Sequence, residues 1–186
     1  MLSFRRTMNK RVLIISASPR RSGNSDLMAE QFKKGAVEAG NTVEKIFLAN
    51  KKIGYCLACD YCKKNNGICV QKDDMTDLLN SMMLADVIVL ASPVYFYNVS
   101  AQLKTFMDRT YARFDTFKKR EFYGVFSCAD GPGEYINHVT DALKGFAVCF
   151  PDSEYKGSVI GYNSGAHGSV SEEHLKEAFE LGKTIQ

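Results

Sequence analysis

The sequence predicts an α/β domain built on a doubly wound, five-stranded parallel sheet with helices on both faces. Three observations support this fold class. Short apolar runs rich in β-branched residues recur along the chain, as strands buried on both faces require. Segments with helically spaced apolar residues lie between these runs. The resulting alternation of strand and helix calls for parallel strands joined by helical crossovers.

The first half of the chain supplies the clearest elements. The run VLIISA is continuous, short and β-branched, and Gly40 ends the helically spaced segment that follows it. Residues 49–72 form a long cysteine-bearing insertion without a clear period, and long irregular segments of compact domains are often functional. Asp73 and Asp74 then stand where negative charge favours the N-terminus of a helix. The run DVIVLAS is the strongest strand signal.

The second half continues the same alternation. The predicted strands occupy residues 12–17, 42–48, 86–92, 121–127 and 157–161. The predicted helices occupy residues 26–39, 75–85, 99–113, 135–148 and 172–183. Residues 1–10 are polar and lack periodicity, which predicts a flexible leader, and residues 11–186 fit one domain of ordinary size.

Charge and composition exclude several functions. The formal net charge is +3, and the basic residues are scattered with acids between them, which disfavours nucleic acid as a partner. No apolar run approaches the roughly 20 residues of a membrane-spanning helix, and no signal-peptide pattern stands near the N-terminus. We therefore expect a cytoplasmic protein without a membrane partner. Six cysteines in that compartment indicate metal or redox chemistry, because cytoplasmic thiols are kept reduced.

The loop after the first strand is a predicted anion site. Ligands of doubly wound sheets bind outside the carboxyl ends of the strands, where the winding direction switches. This loop precedes a predicted helix, whose free N–H groups and dipole favour anions, and it adds two arginines, Asn24 and a glycine. Its hydroxyls are those of Ser16, Ser18, Ser22 and Ser25. It lacks the Lys-Ser/Thr pair of a P-loop and the GxGxxG pattern, so a monoester phosphate without magnesium fits best. The alternative is that Asn24 or Ser25 merely caps the helix.

The loop after the strand DVIVLAS is a predicted site for a flat ring. Pro93 rigidifies the turn, and the backbone amides that follow it become available. Tyr95, Phe96 and Tyr97 add planar apolar surface. Backbone hydrogen bonds beside aromatic faces suit a planar heterocycle with a polar edge, although each aromatic taken alone fits a core position as well.

Three segments occur in the order SASPRRSGNS, CxxCxxC followed by CVQKDDM, and SPVYFYNVSAQLKTFMDR. Over about residues 10–130 they resemble the NADPH-dependent FMN reductase family of the flavodoxin-like superfamily, and its iron-sulfur flavoprotein branch in particular. The resemblance implies a flavodoxin-like sheet of strand order 2-1-3-4-5, FMN as cofactor, and a homodimer or homotetramer. It implies that the FMN phosphate contacts Ser18, Arg20, Ser22, Asn24 and Ser25. It implies that the ring lies near Pro93, Val94, Tyr95 and Phe96.

The insertion carries the pattern C-x2-C-x2-C-x6-C at Cys56, Cys59, Cys62 and Cys69. Three thiols at this spacing can face one centre from a single turn of chain, and four thiolates suit a 4Fe-4S cluster or zinc. The resemblance favours the cluster, because iron-sulfur flavoproteins share the compact first spacings. Free or regulatory thiols are the third alternative. Cys128 and Cys149, at predicted element ends, are expected to be small core residues.

The predicted function is that of an FMN-dependent oxidoreductase. FMN would take electrons from NAD(P)H as transient donor and pass them to a small-molecule or protein acceptor, such as a quinone, free flavin or ferredoxin. The cofactor supplies the chemistry, so no catalytic side chain is predicted. A cluster would split two-electron flavin chemistry into single-electron steps. The alternative from another class is a redox or metal sensor, in which the four-cysteine loop responds to metal or oxidant and the fold is only a scaffold.

Overall fold

The computed structural model describes residues 9–186, so most of the predicted leader lies outside the described residues. The strands are β1 Arg11–Ser16, β2 Thr42–Phe47, β3 Val87–Tyr95, β4 Asn98–Val99, β5 Glu121–Ser127 and β6 Glu154–Gly161. The helices are α1 Asn24–Glu38, α2 Tyr61–Lys64, α3 Met75–Leu84, α4 Ala101–Arg109, α5 Asn137–Ala147 and α6 Glu172–Lys183. Among residues 9–186, no helix combines the length and the apolar character needed to traverse a bilayer.

The longer strands form a parallel sheet in the order β2-β1-β3-β5-β6, and β4 pairs antiparallel with the end of β3. Counted over the parallel strands alone, this is the predicted order 2-1-3-4-5, and the fold class is confirmed. The winding direction reverses between β1 and β3. The carboxyl ends of these two strands therefore flank the crevice in which doubly wound sheets bind ligands.

Alternate residues of the central strands enter two separate cores, one on each face of the sheet. Leu13 and Ile15 of β1 pack in a cluster that includes side chains of α3, α4 and α5. Val12 and Ile14 pack in the other cluster with side chains of α1 and α6. All four side chains are buried, and full burial of such a side chain contributes about 1.5–3 kcal/mol. Burial on both faces explains why β1 is an unbroken apolar run in the sequence.

Helices α1 and α6 cross at a direct contact between their backbones. A Cβ atom on Gly35 would collide with the carbonyl oxygen of Phe179, and a Cβ atom on Gly182 would collide with that of Phe32. Only glycine fits at either crossing position, because any side chain would force the helices apart. The contact fixes α1, and with it the loop that precedes α1, against α6.

Several element ends differ from the prediction. β3 continues through Pro93 to Tyr95, because its last residues pair with β4. The predicted helix 99–113 is shorter at both ends. Ser100 caps the start of α4 by accepting a hydrogen bond from the N–H of Leu103, and a 3-10 turn at Thr110–Ala112 follows its end at Arg109. β6 begins at Glu154, where polar edge residues pair with β5 and give no strand pattern in the sequence. The short helix α2 inside the insertion was not predicted.

Candidate functional site

A cavity of about 220 Å³ opens at the carboxyl ends of β1 and β3, where the topology predicts a ligand site. The loop after β1 and the start of α1 form one side, and the end of β3 forms another. Of the predicted cofactor residues, those that line this cavity are Ser18, Arg20, Asn24, Ser25, Pro93, Val94 and Tyr95. The structure thus brings most of the predicted site together from two distant segments of the chain.

The loop after β1 is a tight turn held by Ser18 and by its own backbone. Ser18 Oγ donates a hydrogen bond to the carbonyl oxygen of Arg20 at 2.7 Å, and the N–H of Gly23 donates to the same oxygen at 3.2 Å. A Cβ atom on Gly23 would lie 2.7 Å from Ser18 Oγ, so the turn requires glycine there. Arg20 is exposed at the cavity, whereas the guanidinium of Arg21 lies 5.1 Å from the ring of Phe47. Arg20 is therefore the arginine available to an anion.

Asn24 is engaged in holding the loop after β6. Its Nδ2 donates to the carbonyl oxygens of Ser164 and Ala166, both at 2.7 Å, and its Oδ1 accepts from the N–H of Val170 at 3.1 Å. These bonds draw that loop against the start of α1. Asn24 therefore shapes the wall of the cavity, and its backbone N–H, which has no partner within the helix, is the group left for an anion.

Ser16 and Ser22 do not line the cavity, because both bond to the carboxylate of Asp26. Ser16 Oγ donates to Oδ1 at 2.7 Å, and the N–H of Ser22 donates to Oδ2 at 3.1 Å. Lys45 forms an ion pair with the same carboxylate and with Glu30. Burial by itself raises the pKa of Asp26, but the hydrogen bonds from Lys45 and Ser16 outweigh burial and lower it below its usual value. The charged carboxylate of Asp26 thus holds the loop after β1 in place.

The end of β3 turns back through a two-residue hairpin loop at Phe96 and Tyr97. Their φ angles are 48° and 59°, which makes this a type I′ turn. Such turns favour Asn-Gly, because left-handed backbone is costly for bulky residues. Residues held in such conformations cluster at functional sites.

Phe96 is fully exposed and lies outside the main cavity. With Tyr97 it lines a smaller hollow of about 170 Å³, which adjoins the main cavity at Val94. The ring of Tyr97 packs 5.6 Å from that of Tyr135, and the charge of Asp130 raises the pKa of Tyr97. The aromatic hairpin therefore extends the site from the cavity towards solvent.

The hydrogen-bond donors of the main cavity suit the phosphate of FMN, and its apolar surface suits the ring. The N–H groups at the start of α1 and the guanidinium of Arg20 are donors of the kind that can bind a terminal phosphate, whereas the hydroxyl hydrogen of Ser18 is already donated to the carbonyl oxygen of Arg20. Pro93 and Tyr95 supply the apolar surface that a planar ring requires.

Two walls of the cavity contain none of the predicted site residues. Ser127 and Ala129 line it from the end of β5, and residues 164–167 line it from the loop after β6. Apart from His167, these are small residues that carry no chemical signature. The topology was the available signal, because the carboxyl ends of all five parallel strands meet at one edge of the sheet.

The cysteine insertion is anchored to α4 by Arg109, whose side chain is 2% exposed. Its guanidinium donates to Asp73 Oδ2 at 2.7 Å, to Asp73 Oδ1 at 3.0 Å and to the carbonyl oxygen of Gly54 at 2.7 Å. Nη2 also lies 3.5 Å from Cys69 Sγ. Burial by itself raises the pKa of Asp73, but the hydrogen bond from Arg109 outweighs burial and the pKa is lowered. This pair joins both ends of the insertion to one helix.

The four cysteines of the insertion lie in different environments. Cys62 is buried in α2, Cys59 is exposed, and Cys56 and Cys69 are half-buried. Burial raises the pKa of Cys62, Lys63 lowers it, and the neighbouring Cys69 raises it further. Among the described residues, no three or more His, Cys, Asp or Glu side chains are grouped so as to hold a metal ion. The donor chemistry fits a metal centre, but the thiols do not converge, and the centre stays a prediction.

The two remaining cysteines differ from each other. Cys128 is buried at the end of β5, as expected. Cys149 is exposed, so the prediction of a core position was wrong. It follows the end of α5 beside the exposed Val148, and the buried positions there are Ala147 and Phe150. The helical spacing turns Cys149 away from the core.

Fold and site together define a flavodoxin-like flavoprotein oxidoreductase. A model of the NADPH-dependent FMN reductase family matches residues 10–185 of the chain. The chain belongs to that family, and the resemblance found in its motifs is confirmed.

Relatives with related names cover different shares of the chain. An iron-sulfur flavoprotein of Archaeoglobus fulgidus is 36% identical over 180 residues, which cover 92% of this chain and 76% of that relative. An iron-sulfur flavoprotein of Methanocaldococcus jannaschii is 44% identical over 100 residues, which cover 54% of this chain and 51% of that relative. The matched part is thus about half the length of the Methanocaldococcus relative.

Solved structures support the fold at low sequence identity. An NAD(P)H:quinone oxidoreductase from Methanothermobacter marburgensis has a TM-score of 0.77 at 17% identity and covers 96% of this chain and 97% of its own. An FMN-dependent NADH-azoreductase from Bacillus anthracis in complex with FMN has a TM-score of 0.66 at 19% identity and covers 94% of this chain and 96% of its own. These likenesses establish the flavodoxin-like architecture.

Proposed function

We propose that this protein is a cytoplasmic, FMN-dependent oxidoreductase of the iron-sulfur flavoprotein type. It would draw electrons from NAD(P)H and pass them to a small-molecule or protein acceptor. The observation that carries the proposal is the cavity at the switch point of the sheet, which has anion-binding groups on one side and an aromatic hairpin on another. The names of the relatives support the iron-sulfur part of the proposal.

The chain's own residues would bind and orient the cofactor. The N–H groups at the start of α1, with Arg20, would hold the phosphate, and Ser18 would join them once its hydroxyl turns away from the carbonyl oxygen of Arg20. Pro93 and Tyr95 would pack on the ring. Asp26 fixes the loop after β1, and Asn24 fixes the cavity wall formed by the loop after β6. FMN supplies hydride and electron transfer when bound, so the proposed reaction requires no nucleophilic side chain.

The residues proposed to hold a 4Fe-4S cluster are Cys56, Cys59, Cys62 and Cys69. A cluster in this segment would lie beside the buried Arg109, whose N–H group points at a thiol sulfur, and such hydrogen bonds tune reduction potentials. A cluster supplies single-electron transfer, which suits a protein acceptor such as ferredoxin. We also propose assembly into a homodimer or homotetramer, supported by exposed apolar residues on the insertion, among them Tyr55, Leu57 and Ile68.

The flavin assignment is tested by mass spectrometry of the flavin released from the purified protein. We expect FMN at about one per chain, because the start of α1 suits a terminal phosphate. FAD as the bound species would reject the phosphate assignment. Protein that binds no flavin when titrated with FMN would reject the proposed function.

The metal centre is tested by metal analysis and absorption spectroscopy of anaerobically purified protein. A cluster predicts about four irons per chain and a broad absorption that bleaches with dithionite, whereas zinc predicts about one colourless metal. Replacing any of the four insertion cysteines by Ser should remove the cluster and leave FMN bound. Cys128→Ser and Cys149→Ser are the matched controls and should retain it. Reconstituted protein with neither metal would reject the centre and favour a thiol-based sensor.

A further inference from the structure

A second cavity of about 500 Å³ lies between the cysteine insertion, the end of α4 and the end of α5. It shares no lining residue with the cavity at the sheet edge. Cavities that bind small molecules measure about 300–1,000 Å³ and have apolar walls with a few polar groups. This cavity has that size and that kind of wall, and of its lining residues the proposed function uses only Cys56.

Aromatic rings form much of its wall. Tyr111 and Phe114 stack nearly parallel, with centroids 5.9 Å apart and an interplanar angle of 14°. Phe146 and Phe150 meet edge to face, with centroids 4.8 Å apart. Flat rings favour offset-stacked and edge-to-face contacts with other rings. The wall therefore suits a planar aromatic ligand.

The charged groups that line the cavity determine which ligand charge it favours. Two carboxylates line it, those of Asp60 and Asp108, and no Lys or Arg of residues 9–186 does. Asp108 is paired with Lys104 at 2.6 Å. Asp60 accepts a hydrogen bond from Tyr111 Oη at 3.2 Å and makes no ion pair within the part of the chain that the structure describes. Asp60 is therefore the group that would favour a cation or a hydrogen-bond donor.

One side chain of the protein already places a positive charge against this ring pair. Lys63 Nζ lies 4.3 Å from the ring centroid of Tyr111 and 4.5 Å from that of Phe114. Lys63 does not itself line the cavity. The same pair of rings forms part of the cavity wall beside Asp60.

We propose that this cavity is a binding site for a planar aromatic ligand that carries positive charge or hydrogen-bond donors. The site lies beside the four insertion cysteines and apart from the flavin cavity. It goes beyond the proposed function, because the binding requires neither FMN nor a metal.

The test uses proflavine, a planar aromatic cation with amino groups, and 9-anthracenecarboxylate as its anionic counterpart. Binding to FMN-loaded protein, purified anaerobically, is measured by titration calorimetry. Alkylation of each cysteine by iodoacetamide is followed by peptide mass spectrometry. We expect proflavine to bind more tightly than the anion and to slow alkylation of Cys149, which lines the cavity. Alkylation of Cys149 in urea-unfolded protein, in which no cavity exists, is the internal control.

A charge-removing variant tests the role of Asp60. Asp60→Asn should weaken proflavine binding about tenfold, because a charge-assisted contact is lost. Asn keeps an acceptor for Tyr111 and tolerates the left-handed φ of 52° at this position. Asp152→Asn is the matched control, since Asp152 is also exposed, has a φ of 56° and does not line the cavity. It should bind proflavine as the wild type does.

Three results would overturn the proposal. One is equal proflavine affinity in Asp60→Asn and the wild type, and another is unchanged alkylation of Cys149 at saturating proflavine. The third is protection of Cys149 that rises with protein concentration in the absence of ligand, which would assign the cavity to contact between copies. FMN content is measured in every sample, so loss of the flavin is distinguished from failure of this site.

Discussion

At the residue scale, the loop after β1 divides its polar side chains between two tasks. Arg20 is exposed at the cavity, where it can meet a ligand directly. Asn24 gives both its amide hydrogens and its oxygen to the loop after β6. The two side chains look equivalent in the sequence, because both are polar and both follow the first strand. Their partners in the fold separate ligand binding from construction of the site.

Arg20→Ala and Asn24→Ala should therefore separate FMN affinity from stability. Arg20→Ala should weaken FMN binding about ten- to a hundredfold, since a charge-assisted contact contributes roughly 1.5–3 kcal/mol. Its free energy of unfolding should change by no more than about 0.5 kcal/mol, as for other exposed side chains. Asn24→Ala should lower the free energy of unfolding by about 1–3 kcal/mol, because it leaves backbone groups of the loop after β6 without partners. Flavin titration and urea denaturation measure the two quantities. Unchanged FMN affinity in folded Arg20→Ala would remove Arg20 from the site.

Asp26 should make stability depend on acid pH. Its pKa is lowered in the folded state, so its contribution is present above the unfolded pKa of about 3.9 and is lost as the pH falls through the folded value. Asp26→Asn should be less stable than the wild type by about 1–3 kcal/mol at neutral pH, and the difference should shrink below about pH 4. Urea denaturation across this range measures it. Glu30→Gln, which alters the more exposed partner of Lys45, is the control with a smaller effect. A difference that is the same at every pH would contradict the assignment to charge.

At the element scale, the β3–β4 hairpin presents an aromatic ring to solvent at a conformational cost. Positive φ at two successive bulky residues is unfavourable, and Phe96 buries no surface in return. The turn nevertheless keeps the end of β3 beside the cavity. The left-handed backbone of this turn therefore lowers the stability of the fold while it keeps the ring of Phe96 exposed.

Phe96→Asn should raise the free energy of unfolding by roughly 1 kcal/mol, because Asn tolerates left-handed backbone and no packing is lost. Val148→Asn is the matched control, since Val148 is exposed but has an ordinary helical φ of −69°. Its change should stay within about 0.5 kcal/mol. Thermal and urea denaturation measure both variants. A destabilised Phe96→Asn would mean that Phe96 makes contacts in solution, for example with a second copy of the chain.

At the scale of the whole molecule, the sheet could be predicted because β1 and β3 are buried on both faces and are therefore continuous apolar runs. The site could be predicted only in part, because its walls come from distant segments. Asn24 bonds to Ser164, which lies 140 residues further along the chain, and no local pattern indicates such a partner. Arg109 reaches Gly54 across 55 residues, so the anchoring of the insertion was equally invisible. The sequence motifs predicted which loops form the site, and the sheet topology brings those loops together.

The crossing of α1 and α6 should be the least tolerant position of the fold. Gly182→Ala should lower the free energy of unfolding by about 1–3 kcal/mol, because the new methyl group meets backbone of α1. FMN affinity should fall with it, since the start of α1 shifts. Gly145→Ala in α5, where nothing lies within 4 Å of the added Cβ, should instead stabilise by about 0.5–1 kcal/mol. Urea denaturation and flavin titration check both variants, and a Gly182→Ala protein as stable as the wild type would show that the helices separate freely.

The backbone contact between α1 and α6 also orders events during synthesis of the protein. The ribosome delivers the loop after β1 early, but α6, which holds α1 in place, and the loop that bonds to Asn24 both arrive near the end of the described chain. A domain generally folds as a unit, so its early segments await the later ones. A nascent chain that has emerged from the ribosome only as far as β5 would contain every residue proposed to bind the phosphate. It would still lack α6 and the loop after β6, which hold the start of α1 in place. Capture of the flavin is therefore expected to be a late event, which follows release of residues 164–183.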